Sequence, residues 1–408
     1  MWQVPVLVLY ALFAISLFFA FFYLGIFIKM QFEKKDKKIR KIFDITFIIP
    51  AYNAAKLLEK TVYSIMHSRY PKEKIKIIIV NDGSRDNTLD VAMKLAKKYG
   101  NIEVLTKPNS GKADSLNYGL RRAKTELVAV LDADTLLKED LLEKSVALFD
   151  DDVAAVTCRF KPLNNNKLIE KLQYVEYTLT AFYRLLMGHI KSLPAAPAFT
   201  IFRREFFVKH GYFDSGNLTE DFEMGLRIQK YNYGIRYVAD SYAITDVPDT
   251  IKKLFRQRLR WNYGAIYNYS KYKELFFSRL HGDVGMFVIP SGYLSALMIC
   301  VSIMISVYLL FSNVWHYTNL LMLGWTPSFS FRMLDIDALL ISLTSLRFLM
   351  MAFIFIMGLA IYFLARFNVD ENIPLTYYII MISVYLLALG IIYVVAMGYF
   401  IIGRKPNW

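Results

Sequence analysis

The chain has 408 residues, with 49 Lys and Arg against 35 Asp and Glu, a formal charge of +14 and a hydrophobic fraction of 55%. Globular domains run to roughly 45–50% apolar residues, so an ordinary soluble protein is excluded, and the length leaves room for one soluble domain beside several membrane spans. The basic residues cluster beside the apolar runs and over Lys252–Arg260, which points to lipid headgroups or an anionic ligand and away from nucleic acid.

Residues 4–29 carry no charge before Lys29, and at about 1.5 Å per residue they are long enough to cross a hydrocarbon core of about 30 Å. No basic residue precedes the run and no A-x-A cleavage site follows it, so the pattern predicts a transmembrane helix over 1–29 rather than a signal peptide. Lys34, Lys35, Lys37, Lys38 and Arg40 come next. Such a basic flank marks the cytoplasmic side and places the N-terminus outside.

From 42 to 270 short apolar runs alternate with amphipathic stretches, the pattern of an α/β domain with a mostly parallel sheet. Strands are expected at Ile45–Ile49, Lys76–Val80, Ile102–Thr106, Leu127–Leu131 and Val153–Arg159, and helices at Lys56–Arg69, Thr88–Tyr99, Lys112–Lys124 and Lys138–Phe149. Asp82 and the pair Asp132 and Asp134 then fall just past strand carboxyl ends, where open α/β sheets bind their ligands.

Asp132-Ala133-Asp134 sets two carboxylates on a turn where both can share a divalent cation, Mg²⁺ or Mn²⁺, with two phosphate oxygens. Val80-Asn81-Asp82-Gly83-Ser84 is ordinary turn chemistry, and equally a place where Asp82 accepts a hydrogen bond from a uracil ring. Pro50 and Tyr52, ending the first strand, would form the other side of that pocket. Lys112, opening a helix after Asn109-Ser110-Gly111, suits an anion. In Thr219-Glu220-Asp221 the threonine reads as an N-cap with acids in the first turn, a role compatible with Asp221 taking a proton from an acceptor hydroxyl. One base opposite a metal-bound leaving group implies displacement with inversion.

Gln257, Arg260 and Trp261 share a helix face by their i, i+3, i+4 spacing. The guanidinium suits a diphosphate and the indole a sugar ring. The same amphipathic, basic segment, over 250–272, is also expected to lie along the inner membrane surface, with Trp261 as an interfacial anchor. Beyond it, within 283–402, three apolar segments follow at about 284–311, 338–365 and 375–402. With the first span this makes an even count and an outside C-terminus, against which the charges of Arg404 and Lys405 argue. Arg347, inside the third span, is a candidate for a functional charge or for snorkelling. Cys158 and Cys300 fall in the soluble part and in a span, so no disulfide between them is expected and the soluble part reads as belonging to a reducing compartment. The five histidines have no metal-ligand spacing.

In this order the motifs resemble the membrane-embedded family 2 glycosyltransferases, which include cellulose, chitin, hyaluronan and poly-N-acetylglucosamine synthases. The resemblance covers Phe47 to Trp261 by motif and the whole chain by layout. It implies a GT-A fold, a channel formed by the spans, and roles by position: Asp82 contacts uracil, Asp132 and Asp134 the nucleotide and metal, Asp221 is the base, Glu220 lies at the acceptor end, and Gln257, Arg260 and Trp261 border diphosphate and acceptor. Two departures stand out. The segment Ala196-Pro197-Ala198-Phe199-Thr200-Ile201-Phe202-Arg203-Arg204 lacks the glycine often found there, and Asn262-Tyr263-Gly264-Ala265 replaces the usual small, basic run after Trp261.

The expectation is therefore a multi-pass cell-membrane enzyme with a cytoplasmic GT-A domain, one N-terminal and about three C-terminal transmembrane helices. It would use UDP-glucose or UDP-N-acetylglucosamine to extend a β-linked polysaccharide, with or without exporting it. Transfer of a single sugar to a membrane lipid, and a catalytically silent membrane scaffold, are the rival readings.

Overall fold

The structure, a computed structural model, describes residues 6–32, 41–324, 346–369 and 373–406. Its centre is an eight-stranded sheet in the order β3-β2-β1-β4-β7-β6-β8-β5. The strands are β1 (Ile45–Ala51), β2 (Ile75–Asp82), β3 (Ile102–Lys107), β4 (Leu127–Leu131), β5 (Leu136–Leu137), β6 (Val153–Pro162), β7 (Phe199–Arg203) and β8 (Gly234–Thr245). One half, β3-β2-β1-β4, is wholly parallel, and β7 joins it to β6 through antiparallel pairings on both sides.

β1, apolar but for Thr46, and the all-apolar β4 are buried on both faces, as expected for parallel strands covered by helices. Pro50, which cannot donate to a ladder, is accommodated because the pairing of β1 with β4 ends at Ile48. Between the strands run α2 (Ala55–Met66), α3 (Thr88–Lys98), α4 (Lys112–Arg122) and α5 (Leu141–Val146), and later α6 (Leu168–His189), α7 (Arg204–His210), α8 (Glu220–Lys230) and α9 (Ile251–Lys271). The expected strands are present, each begun within a residue of its predicted start. The helix expected over Lys138–Phe149 shrinks to one and a half turns. Three strands, β5, β7 and β8, were not foreseen. β7 lies within the segment Ala196–Arg204 noted above, and its apolar side chains fill the slot beside β4.

Apolar helices flank this body: α1 (Val6–Phe32) before it, and α10 (Val284–Met322, opening with a π-helical turn), α11 (Leu346–Val369) and α12 (Leu375–Ile401, with a π-helical turn at Met381–Tyr385) after it. Among the described residues these four are long and apolar enough to cross a membrane. The third segment, expected at 338–365, begins at Leu346 in the described residues; 338–345 and the side chain of Arg347 lie outside them. The last turns of α1, the start of α10 and the end of α11 share one apolar cluster with the sheet, through Ile26, Val288, Ala365 and Val369. Phe22 and Phe287 stack between α1 and α10.

One glycine sets the seat of α8. A Cβ on Gly225 would lie 2.4 Å from the Pro194 carbonyl oxygen and 2.7 Å from the Ala195 Cα, so α8 rests directly on backbone. Ala normally stabilises a helix by about 1 kcal/mol over Gly. Here the overlap with unyielding backbone outweighs it, and Gly225→Ala should cost about 1–3 kcal/mol, read as a lowered thermal midpoint in detergent.

Candidate active site

At the carboxyl ends of β1, β2 and β4 a cleft of about 770 Å³ is lined by Pro50, Tyr52, Asp82, Lys112, Asp132, Asp134 and also Asp246. Its floor is built from short turns that the chain locks in place. Gly83 has φ +65°, and a Cβ there would sit 2.8 Å from the Asn109 nitrogen, so only glycine lets the two loops touch. Asn53, itself at φ 50°, accepts a hydrogen bond from the Arg85 N–H at 2.9 Å, while its own N–H donates to Ser84 Oγ at 3.1 Å. The loops after β1 and β2 thus move as one.

Asp82 is buried. Its Oδ1 accepts from the Ser110 N–H and its Oδ2 from the Gly111 N–H, each at 3.0 Å, and Lys107 pairs with Oδ1. Both oxygens therefore hold the loop that delivers Lys112, a duty the motif did not reveal. The turn carrying Asp132 and Asp134 is pinned by Thr61 Oγ1, which donates to the Ala133 carbonyl at 2.9 Å.

Lys112 is the hub of the site. Its ammonium lies 2.6 Å from Asp132 Oδ1, as an ion pair and not in hydrogen-bond geometry, and 3.4 Å from Glu220 Oε1. Burial alone would lower its pKa, but the charges of Asp132, Glu220 and Asp221 outweigh that and hold it above the usual lysine range. About two-fifths of the side chain still meets solvent. Asp134 is pushed up to about 6, first by burial and then by the charge of Asp132, with Lys112 and a Thr135 hydrogen bond opposing and Asp246 adding to the rise. Burial likewise raises Glu220, Lys112 lowers it, and the neighbouring charge of Asp221 raises it again. Asp221 opens α8 and accepts its neighbour's N–H, that of Phe222, at 2.8 Å.

Thr219 occupies the N-cap position of α8, but its side chain makes no capping bond. Its hydroxyl accepts instead from Asn268 of α9 at 3.0 Å, and Asn268 also exchanges amide hydrogen bonds with Asn217 at 2.7 and 3.1 Å. Arg260 Nη1 donates to the Leu218 carbonyl at 3.2 Å. A Cβ on Gly264 would overlap Thr219 Oγ1 at 2.2 Å, so the glycine of the departing Asn262-Tyr263-Gly264-Ala265 run permits the contact. Helix α9 thereby clasps the loop in front of the Glu220–Asp221 pair. On its other side Arg258 is buried, 2.7 Å from Glu176 of α6, and its guanidinium lies 4.2 Å from the Trp261 ring centroid. Glu176 also accepts from the Tyr385 hydroxyl of α12 at 2.7 Å.

Residues 43–264 match the family described as glycosyltransferase like family 2. The chain belongs to that family. It is 31% identical over 239 residues to the poly-beta-1,6-N-acetyl-D-glucosamine synthase of Staphylococcus aureus (strain COL), a match covering 57% of each chain. It is 30% identical over 232 residues to the synthase of the same name from Staphylococcus epidermidis, covering 55% of each. The matched part is thus little more than half the length of these curated relatives. Among solved structures, mannosyltransferase PcManGT from Pyrobaculum calidifontis, in complex with GDP-Man and Mn²⁺, superposes with a TM-score of 0.56 at 20% identity, over 72% of this chain and 86% of that one. The α/β domain of this glycosyltransferase has the GT-A fold, with apolar helices at both ends.

The family 2 transferase gathers some of the expected residues and separates others. Pro50, Tyr52, Asp82, Lys112, Asp132 and Asp134 line one cleft, and Glu220 and Asp221 join them through Lys112. Gln257, Arg260 and Trp261 are not among the residues lining that cleft; Arg260 holds the 217–219 loop, and Trp261 lies half open over Arg258. Asp246, Arg258 and Asn268 were not singled out as site residues beforehand. Asp246 lies just past β8, a strand that was not foreseen, and Arg258 and Asn268 became visible only once α9 was seen packed on α6 and α8.

The carboxylates suit a hard divalent cation. Asp132 and Asp134 stand together on one cleft wall, and the like charge and burial that raise Asp134 are what a cation would relieve. Among the described residues no three His, Cys, Asp or Glu are grouped to hold a metal by themselves, so ligand oxygens and water would complete the shell, as Mg²⁺ commonly requires. A cation held by Asp134 would need that carboxyl ionised, so Mn²⁺ affinity measured by titration calorimetry should be constant above about pH 7 and fall as the pH drops through about 6. Asp134→Asn should weaken binding and flatten that step.

Proposed function

We propose that this family 2 glycosyltransferase is an inverting hexosyltransferase that takes a UDP-sugar, with UDP-N-acetylglucosamine the first donor to test, and extends a β-linked polysaccharide at the membrane. The observation that carries the reading is the charge bridge from Asp132 through Lys112 to Glu220 and Asp221, which puts the donor-side carboxylates and the candidate base within one electrostatic neighbourhood. The curated relatives, named as poly-N-acetylglucosamine synthases, support the donor and the polymer. The apolar helices at both ends support a multi-pass place in the cell membrane, with the GT-A domain on the cytoplasmic side.

In this reading uracil sits between Tyr52 and the Asp82 loop, and the diphosphate faces Asp132, Asp134 and Lys112. A divalent cation held by Asp132 and Asp134 would supply positive charge to the departing diphosphate. Asp221 accepts the acceptor hydroxyl's proton as that oxygen bonds to the anomeric carbon and the bond from this carbon to the diphosphate oxygen breaks, releasing UDP and inverting the centre. Glu220, buried against Lys112, keeps the ammonium aimed into the site. Trp261 and Gln257 serve the acceptor end, and Arg260 acts by fixing the loop in front of the base.

Asp221→Asn should lower turnover by about 10²–10⁴-fold with UDP binding near wild type, because only the proton acceptor is lost; equal loss of binding would remove Asp221 from that role. Sizing the product from radiolabelled UDP-N-acetylglucosamine and UDP-glucose tests the reaction itself. Long polymer is expected, whereas a single-sugar lipid would favour transfer to a membrane lipid, and no product with either donor would favour a binding scaffold.

A further inference from the structure

We infer that the last apolar helix, α12, does not cross the membrane but lies along the membrane-facing side of the GT-A domain, its bare face in the lipid of that leaflet. Among the described residues three spans, α1, α10 and α11, then do the crossing, and Lys405 shares a side with the catalytic domain.

The three crossing helices each bring one end to the domain. α1 arrives with Ile26, α10 leaves from Val288, and α11 returns with Ala365 and Val369, all in the same apolar cluster. Phe13 of α1 meets Phe353 of α11 at 5.6 Å between ring centroids, so these two run side by side toward the domain.

α12 differs because both of its ends are held there. Before it, Arg159 of β6 donates to the Val369 carbonyl, and Ile373 is buried in a cluster with Leu172 of α6 and Leu254 of α9. Along it, Tyr378, Met381 and Tyr385 pack into that cluster, then Ile392 and Ala396 pack on Leu259, Tyr263 and Ile266 of α9. At its end, Phe400 stands 6.2 Å from the Tyr263 ring and packs in the same cluster as Leu218, in the loop before Glu220.

The chain then stops the helix and turns back. Gly403 has φ +71°, and the Gly403 and Arg404 N–H groups bond the Phe400 and Tyr399 carbonyls at 3.0 Å each, a Schellman ending. Lys405 Nζ reaches the Gly216 carbonyl at 3.4 Å and Pro406 is buried. Gly216 belongs to the catalytic body, since the adjoining Ser215 and Phe213 are bonded to Asn117 of α4. A helix of 27 residues is about 40 Å long, and a domain of about 230 residues is about 45 Å across, so the helix fits along one face with both ends touching.

Its outward side is apolar. Ile380, Val384, Leu387, Ile391, Val394 and Ile401 are exposed at helical spacing, opposite the buried Tyr378, Met381, Tyr385, Ile392 and Ala396. Continuity with the three crossing helices makes leaflet hydrocarbon the occupant of that face. An odd number of crossings also removes a conflict in the charge pattern, because Arg404 and Lys405 then lie on the same side as the basic stretch after α1.

The inference rests on the membrane reading above but not on catalysis, so it is tested without activity. In spheroplasts, Leu323→Cys, at the far end of α10, should react with a membrane-impermeant maleimide added outside, whereas Lys405→Cys should react only after permeabilisation. The unsubstituted chain, with its own Cys158 and Cys300, sets the background. A C-terminal fluorescent-protein fusion, which alters no residue, should fluoresce, and the matching alkaline phosphatase fusion should be inactive. Labelling of Lys405→Cys from outside, or an active phosphatase fusion, would overturn the inference. Failure of both cysteines to react from outside would overturn the membrane reading and this inference with it.

Discussion

A single ammonium group organises the catalytic end of this glycosyltransferase. Lys112 stands between Asp132 on the turn after β4 and Glu220 at the start of α8, with Asp221 close enough for its charge to be felt. The charge of Lys112 opposes the rise that burial and neighbouring acids impose on Asp134 and Glu220. The lysine lets the site stay charged and ready. The same electrostatic logic would suit a divalent ion and a diphosphate, which bring charges of both signs to the wall where Lys112 meets Asp132.

Much of the surrounding structure exists to hold that group steady. Asp82 spends both carboxylate oxygens on the loop leading into α4, Gly83 allows the loops to touch, and Thr61 fixes the turn between Asp132 and Asp134. On the other flank α9 grips residues 217–219 with Asn268, Arg260 and the bare backbone at Gly264. Helix α9 is in turn tied to α6 and α12 by Arg258, Glu176 and Tyr385. The candidate base is therefore mechanically continuous with the apolar helices, through ordinary packing and a short run of buried polar contacts.

That continuity gives the last helix its meaning. A π-helical turn in α12 carries Tyr385, and such turns insert one extra residue that redirects side chains. Here the redirected hydroxyl meets Glu176 beneath α9.

The fold class, the five parallel-type strands and the acidic turns were legible in the chain because continuous apolar runs and turn residues act locally: Ile45–Ile49 or Leu127–Leu131 can be little else in a chain of this pattern. Hydropathy alone also marked the apolar helices, since their length against a bilayer is a one-dimensional property. Only the tertiary structure decided the rest. β7 and β8 form because a slot beside β4 and β6 must be filled, and that need is not written in their own periodicity. Lys112 looked like a phosphate-binding lysine until the fold brought Glu220, 108 positions later, to 3.4 Å. The course of α12 was hidden for the same reason: composition reports that a helix prefers lipid, while its direction depends on where the two ends are fastened, and those fastenings are contacts between residues far apart in the chain.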